Sequence, residues 1–505
     1  MHSLSRAIPD RIRFFSSFIY QLDSKKIATF LFLFFFTLFL FLGSLITLPT
    51  SPTLNAIFSA DNARVFGDMA KVDYDHYRIK VHPLFLILVQ PVVHLMTGIT
   101  GNPLFSVLIV EAAAGSGVCA FLFLILNKFQ ISQIRSLTLV AILGFAFSSM
   151  IFSSIPETFM LAALGLIAFW HFAIKASRAE RKVFSRSEFA IVTFFGIISF
   201  GITITNYIFF LIPLIFLCRQ RYDAGRRAAP FCLVNIICLV AIVALSLLQN
   251  AAWPQCPLFW SSILDSINGI QPYEEFNYIS TDFSLSKIYE WIKQLFAYPL
   301  IGGTPAIAQA PNGLPTIVFT HLDLLPKIAV VAFWTTSIYL LITFVARKDC
   351  AIERTPSERT LLAYLSASWL GNCALHFFYS PDAAFLYSPH SLFLAFLCLG
   401  IISPRSAQPL RMNNIFLGAF LVIEIAWNSQ TFLQTALEYA FIEHATILPL
   451  HGAIVALSLG LILSAIAVHQ FTVSKASRFS WPKSKRLIAG YFFLILLYCY
   501  FSLVN

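Results

Sequence analysis

Residues 27–48 read IATFLFLFFFTLFLFLGSLITL, an apolar run of 22 residues without a charged side chain. A helix of that length crosses the hydrocarbon core of a bilayer, which is roughly 30 Å thick. Further apolar runs follow to bring the total to thirteen, and 58% of all residues are hydrophobic. The sequence therefore predicts an all-α polytopic membrane protein with about 13 transmembrane helices, and it excludes an ordinary soluble domain.

The distribution of positive charge predicts the topology. If the apolar piece from Pro83 to Thr97 does not cross the membrane, 27 of the 34 Lys and Arg lie on one side, which is then the cytoplasmic side. That piece is short and contains Pro91, as is typical of an interfacial or re-entrant segment. The net charge of +10 thus indicates membrane orientation. We expect a lipid bilayer as partner and no nucleic acid.

These patterns divide the chain into alternating spans and outer loops. In the predicted outer loop 249–326, which lacks obvious strand alternation, Leu285, Ile288 and Ile292 recur at helical spacing and predict an interfacial helix. The Pro- and Gly-rich stretch Pro299–Pro315 is expected to be either an ordered but irregular loop or a mobile lid. The parts are a cytoplasmic N-terminus (1–26), the first span (27–48), an outer loop with juxtamembrane helices (49–102), spans two to seven (103–248), an outer loop (249–326) and spans eight to thirteen (327–505).

The first outer loop contains the densest mixed-charge segment, SADNARVFGDMAKVDYDHYRIKVHPL at 59–84. Asp61, Arg64, Asp68 and Lys71 are spaced by 3, 4 and 3 residues, so on a helix they share one face. One interpretation is an exposed amphipathic helix with ion pairs worth ~0.2–0.5 kcal/mol each. The other is a site for chemistry just outside the bilayer.

Other polar residues at predicted outer turns, or within spans, also have two interpretations. Glu157 follows Pro156 and is suited either to a helix N-terminus or to a site. Asn206 is suited to helix capping or to ligand binding. A further outer cluster contains Asp382 and His390. The acids within predicted spans, where ionisable side chains are costly, are Glu111 and Glu424.

Three short motifs, taken in order, resemble a known superfamily. The first outer loop contains Asp61-Asn62-Ala63-Arg64 and then His82-Pro83-Leu84, and a later outer turn contains Ile155-Pro156-Glu157-Thr158. This arrangement resembles the GT-C membrane glycosyltransferases, most closely the branch of aminoarabinose transferases and protein O-mannosyltransferases. The resemblance covers roughly residues 27–220. Asn62 departs from the pattern, because the family has Glu there.

The resemblance implies an inverting transfer of a sugar from a polyprenyl-phosphate donor to an acceptor hydroxyl of lipid, glycan or protein. It implies a bacterial inner-membrane location with an outward-facing site. The implied catalytic residues are Asp61 and Glu157, which would also hold a divalent metal ion if the enzyme uses one; no other cofactor is implied. The implied ligands of the donor phosphate are Arg64, Arg78, Lys80 and His82. The candidate sugar or lipid ligands are Asn206, Asp382 and His390.

Two other classes stay open on the sequence. A transporter or flippase for lipid-linked saccharides would have charges deep in several spans, whereas here the charge is concentrated in one outer loop. A ligase or polymerase for such saccharides would centre on a large late outer loop, and the 249–326 loop keeps that alternative open.

Overall fold

The computed structural model describes residues 23–47, 57–179, 183–261, 264, 267, 279–280, 284–309, 314–346, 355–403 and 411–442. The last two predicted spans, 446–469 and 487–503, lie outside the described residues. The helices of the first half are α1 (Ser24–Ile46), α2 (Asn62–Ala70), α3 (Phe85–Thr100), α4 (Pro103–Lys128), α5 (Gln133–Phe145), α6 (Phe147–Phe152), α7 (Phe159–Ser177), α8 (Arg186–Ile202), α9 (Asn206–Arg221) and α10 (Ala228–Ala252).

The second half adds helices and one hairpin. The stretch with helical spacing forms α11, which continues as a π-helical turn, Lys293–Ala297. These elements are α11 (Leu285–Ile292), β1 (Pro305–Gln309), β2 (Pro315–Phe319), α12 (Leu324–Ala346), α13 (Pro356–Phe378), α14 (Ser388–Ile402) and α15 (Arg411–Ile442).

Eight helices among the described residues are long and apolar enough to cross a membrane. They are α1, α4, α7, α10, α12, α13, α14 and α15. The chain is therefore an α-helical, multi-pass membrane protein. Helix α14 is the most enclosed of the eight, with 94% of its apolar window buried inside the bundle.

Helix α4 is central to the N-terminal half and packs against α1, α3, α5 and α7. A glycine on this helix allows a close approach of the chain that follows α6. A Cβ placed on Gly115 would lie 2.0 Å from Oγ of Ser153. Because Gly115 has no side chain, the turn that carries Glu157 can pack directly on α4.

The predicted span 137–153 is broken in two. Ala146 has an extended backbone (φ −55°, ψ 136°), which ends α5 and starts the short α6. The first N–H groups of α6 do not go unpaired, since Phe147 and Ser148 donate to the carbonyls of Leu300 and Pro299. The segment that follows the π-helical turn is thereby hydrogen-bonded to the end of the helix bundle.

The expectation that Pro299–Pro315 is irregular is wrong in part, because an antiparallel hairpin pairs Pro305 with Phe319 and Gln309 with Pro315. Its β2 strand forms a bridge with Ile57. The Phe319 ring lies 4.4 Å from that of Phe58 and 5.3 Å from that of Phe147. Strand formation here depends on aromatic contacts with remote segments, which a local sequence pattern does not reveal.

Helix α3 corresponds to the predicted non-crossing piece. It has 16 residues with Pro91 inside, so it is about 24 Å long and shorter than a bilayer core. It packs on α2 and α4, and Nε2 of Gln90 donates to the carbonyls of Asp68 and Lys71. These bonds hold α2 on the bundle. That α3 does not cross the membrane stays a prediction.

Candidate active site

Helix α2 carries a row of alternating charges that faces inward. Nε and Nη2 of Arg64 donate to Oδ2 of Asp61 at 3.1 and 2.9 Å, and Nη1 donates to Oδ2 of Asp68 at 2.9 Å. Arg64 is only 6% exposed and Asp68 2%. The spacing argument placed these residues on one face correctly, but the interpretation as an exposed surface helix is wrong.

Glu157 lies in the turn between α6 and α7 and meets the start of α2. Its Oε1 accepts a hydrogen bond from the backbone N–H of Asp61 at 3.3 Å, and its Oε2 accepts one from Thr158 at 2.7 Å. The backbone N–H of Glu157 donates to Oε1 of Glu111 on α4 at 3.4 Å. The structure thus brings together Asp61 and Glu157, the two predicted catalytic acids, and adds Glu111.

Burial and neighbouring charges shift the pKa values of Glu157 and Arg64. The pKa of Glu157 is raised to about 7, mainly by burial and next by the charge of Asp61, while Arg64 opposes the rise. Burial lowers the pKa of Arg64, but the charges of Asp61, Asp68 and Glu157 more than offset this, so its pKa lies above the ordinary value. Arg64 is therefore a permanent cation, and Glu157 can hold a proton near neutral pH.

The predicted phosphate ligands follow α2. Arg78 and Lys80 lie on a 3-10 turn, Tyr77–Lys80, and both are half-buried. The charge of Arg78 acts on both Arg64 and His82, so these three basic groups are neighbours.

His82 does not fit a cationic role. Its Nδ1 lies 2.6 Å from the carbonyl of Ile202, which can only accept, so Nδ1 carries the hydrogen. Burial, followed by the charges of Arg64 and Arg78, lowers the pKa of His82 well below its ordinary value. The side chain is neutral near pH 7 and offers Nε2 only as an acceptor. A cationic role does not match this state, and whether His82 binds the donor phosphate stays a prediction.

The sequence did not single out His76, although it is fully buried beside the cluster. Its Nδ1 contacts Oδ1 of Asp68 at 2.8 Å, and its Nε2 contacts the carbonyl of Val72 at 3.3 Å. The backbone at His76 is left-handed (φ 53°), a conformation that L-residues seldom adopt. Asp68 therefore links Arg64 to His76 below the outer surface of the site.

A second buried polar group lies at the start of α9. Asn206 begins α9 and is 1% exposed, and neither atom of its amide has a hydrogen-bond partner among the described residues. The backbone N–H of Ile204 donates to Val81, which holds this turn next to His82. The expected capping role is not seen for the Asn206 side chain, since it is the first helical residue and Thr205 is the N-cap.

His390 belongs to the same region. Its ring packs edge-on against Phe159 at 5.9 Å, two residues after Glu157, and its Nε2 has no hydrogen-bond partner among the described residues. On α13, His376 stacks on Tyr387 at 4.1 Å. The ring of Phe159 also contacts that of Tyr387 at 5.4 Å.

Asn372, one helical turn before His376, was missed by the sequence. It is fully buried, and both amide atoms lack partners among the described residues. A Cβ on the neighbouring Gly371 would lie 3.8 Å from the ring of Phe209, so this turn of α13 faces the first turns of α9. We call Asn206, Asn372, His376 and His390 the amide–histidine cluster.

Asp382 has a different environment. Its side chain is 61% exposed, and it forms an ion pair with Lys287 of α11 at 2.5 Å. Exposed pairs of this kind contribute about 0–1 kcal/mol. Asp382 is therefore placed in a surface contact and not in the amide–histidine cluster.

The fit of a metal ion can be judged from the available oxygen atoms. Asp61 Oδ2 accepts two hydrogen bonds from Arg64, and both oxygens of Glu157 accept backbone N–H groups. Among the described residues, no three His, Cys, Asp or Glu side chains converge to hold a metal ion. These donors fit an ion-pair network better than a divalent cation, and no step below involves a metal.

Comparison of the chain with protein-family models, with curated proteins and with solved structures yields no match.

Proposed function

We propose that the chain is a membrane glycosyltransferase that transfers a sugar from a polyprenyl-phosphate donor to an acceptor hydroxyl, with inversion at the anomeric carbon. The observation that carries the proposal is the pairing of Asp61 with Glu157 beside Arg64. A proton acceptor and a fixed cation are the two groups that such a transfer needs.

Asp61 is the acid that an acceptor can reach, because 33% of its side chain is exposed while Glu157 is 2% exposed. In the proposed step, Asp61 takes the proton of the acceptor hydroxyl. The acceptor oxygen attacks the anomeric carbon on the face opposite the phosphate. The bond between that carbon and the phosphate oxygen breaks, and its electron pair stays on the phosphate.

The leaving phosphate requires positive charge. Arg78 and Lys80 on the 3-10 turn, together with Arg64, supply it. Arg64 is also bound to two carboxylates, so its main effect is to fix Asp61.

The amide–histidine cluster supports a hydroxyl-rich substrate. Buried amides without partners are costly, on the order of 1–3 kcal/mol each. Sugar hydroxyls both donate and accept hydrogen bonds, and would satisfy both atoms of Asn206 and Asn372. We therefore place the donor sugar between this cluster and Asp61.

The finer topology belongs to the same proposal. We propose about 13 spans in a bacterial inner membrane with Asp61 on the outer side, because the Lys and Arg distribution favours this orientation. Single cysteines at positions 75 and 226 test it on intact cells with an impermeant thiol reagent. Labelling at 75 alone supports the orientation, and equal labelling at both positions contradicts it.

One observation favours the transporter alternative. Glu424 lies in α15, is fully buried, and neither carboxylate oxygen has a hydrogen-bond partner among the described residues. Unpaired acids inside spans are typical of ion or proton pathways. A flippase would move a lipid-linked sugar across the membrane of a vesicle without forming a glycosidic bond.

The test is product formation by membranes that contain the chain and a panel of labelled polyprenyl-phosphate sugars. Asp61→Asn should reduce transfer by ~10²-fold or more, since a general base contributes on that scale. The matched control is Asp75→Asn, an exposed acid in the same loop, which should transfer normally. Sugar translocation without any transfer product would support the flippase, and normal transfer by the Asp61→Asn protein would remove the catalytic assignment.

A further inference from the structure

A cavity of about 530 Å³ opens at the other end of the helix bundle. It lies between the last turns of α4, α7 and α9 and the first turn of α13, with Lys128, Arg178, Phe216 and Ser357 among its lining residues. Helix α7 begins next to Glu157 and ends at this cavity, and its 19 residues span about 28 Å. The cavity is therefore separate from the candidate active site, and it lies at the ends that the charge distribution assigns to the cytoplasm.

The cavity contains an ammonium group that lacks a partner. Nζ of Lys128 is shielded from solvent and has no hydrogen-bond partner among the described residues. A buried charge without a partner is costly. The positive charges of Arg178 and Lys175 also act on Lys128. An anion in this cavity would supply the missing partner.

Arg178 is held in position at the edge of the cavity. Its guanidinium lies 5.2 Å from the centre of the Phe129 ring, and its Nη1 donates to the carbonyl of Lys128 at 3.2 Å. The ring contact and the single bond leave other guanidinium N–H groups for a ligand, because arginine has five donors. A planar, fixed guanidinium suits phosphate oxygens.

The acidic side chain in the cavity lining, Glu358, is hydrogen-bonded to the start of its own helix. Oε2 of Glu358 accepts from the backbone N–H of Thr355, and Oγ1 of Thr355 accepts from that of Glu358, which forms a capping box at the start of α13. The cavity therefore also faces the positive end of a 23-residue helix.

We propose that this cavity binds the phosphate of an anionic phospholipid headgroup from the cytoplasmic leaflet. Basic pockets between spanning helices on that side suit anionic headgroups. The apolar part of the lining, which includes Phe129, Ile174 and Leu361, favours a lipid over free phosphate. This inference does not depend on the proposed transferase activity.

The test uses the purified full-length chain, stripped of lipid and titrated with phosphatidylglycerol or phosphatidylcholine, with bound lipid counted by native mass spectrometry. We expect tighter binding of one phosphatidylglycerol, and Lys128→Gln should weaken it about fivefold or more. The matched control is Arg226→Gln, which removes an exposed charge on the same side and should bind as the unmodified chain does.

A second variant distinguishes a loss of lipid binding from misfolding. Ser177→Trp fills the cavity and keeps every charge, so it should also lose phosphatidylglycerol while its thermal unfolding stays normal. Equal affinity for the two lipids, or unchanged binding by Lys128→Gln and Ser177→Trp, would overturn the proposal. Inorganic phosphate that binds the stripped chain as tightly as the lipid would contradict the lipid assignment in favour of free phosphate.

Discussion

The backbone N–H of Asp61 donates a hydrogen bond to Oε1 of Glu157 at 3.3 Å, although 96 residues separate them. The bond joins the first turn after α1 to the turn that precedes α7. Because both acids are partly or fully removed from water and lie next to each other, they interact as a coupled pair. Most of the expected pH behaviour of the protein follows from this contact.

Glu157 should make the stability of the protein depend on pH. Its pKa is about 7 in the folded chain, against an ordinary value of 4.5, so the folded state holds the proton more tightly than the unfolded state does. Its contribution to stability is then fully present below pH 4.5 and is lost as the pH rises to about 7. Thermal unfolding between pH 4.5 and 8 should show this loss, and Glu157→Gln should remove it. An unchanged slope in the Glu157→Gln variant would contradict the raised pKa.

The rate of transfer should rise with pH through about 7. Ionisation of Glu157, whose pKa is about 7, places a second negative charge beside Asp61 and so favours transfer of the acceptor proton to Asp61. In Glu157→Gln the limb near pH 7 should disappear, since this side chain can no longer ionise. The measurement is kcat against pH at saturating donor. A flat profile in the unmodified protein would show that ionisation of Glu157 does not influence the base.

Loss of Asp68 should damage the fold and not only the chemistry. One interpretation of the sequence places Asp68 on an exposed helix, but Asp68 is buried between Arg64 and His76. Removing one partner of a buried charge pair costs about 3 kcal/mol or more. Asp68→Ala should therefore unfold at lower temperature, while Asp75→Ala, at an exposed position, should stay within ~0.5 kcal/mol. Equal unfolding temperatures for the two variants would contradict the buried pairing.

The contrast between Asp68 and Asp61 shows which features of the site the sequence alone can predict. Spacings of 3 and 4 residues place Asp61, Arg64 and Asp68 on one helix face, and this is correct because the rule depends only on helix geometry. Whether that face points to water or inward depends on what packs against it, such as Gln90 of α3. Local periodicity carries no information about that neighbour.

Other parts of the site could not be predicted from the sequence for the same reason, because they depend on contacts between distant segments. Asn372 and His376 lie in the middle of an apolar run with no motif around them, and only the packing of α13 against α9 gives them significance. The neutral state of His82 depends on its burial and on the charges of Arg64 and Arg78, and its Nδ1 contacts the carbonyl of Ile202, 120 residues away. The hairpin β1–β2 similarly needs Phe58 and Phe147 from other segments. Each of these features is a long-range contact.

A comparison of two buried asparagines tests whether the amide–histidine cluster binds a ligand or has only a structural role. Asn206 has no side-chain partners among the described residues, whereas Asn428 on α15 donates to the carbonyls of Phe145 and Leu300 and accepts from the N–H of Gly302. Asn206→Leu removes an unsatisfied amide, so its effect on folding should be small or stabilising. Asn428→Leu breaks three hydrogen bonds to backbone groups, including the one that the N–H of Gly302 donates, and should cost about 2–4 kcal/mol.

The two variants should have opposite effects on stability and activity. Asn206→Leu should unfold at or above the normal temperature yet show a raised KM for the sugar donor, because its amide would bind sugar hydroxyls. Asn428→Leu should unfold at a lower temperature, while its KM at a permissive temperature stays near normal. The measurements are thermal unfolding and donor-dependent transfer on the same preparations. A stable Asn206→Leu protein with an unchanged KM would mean that the orphaned amide does not contact the donor.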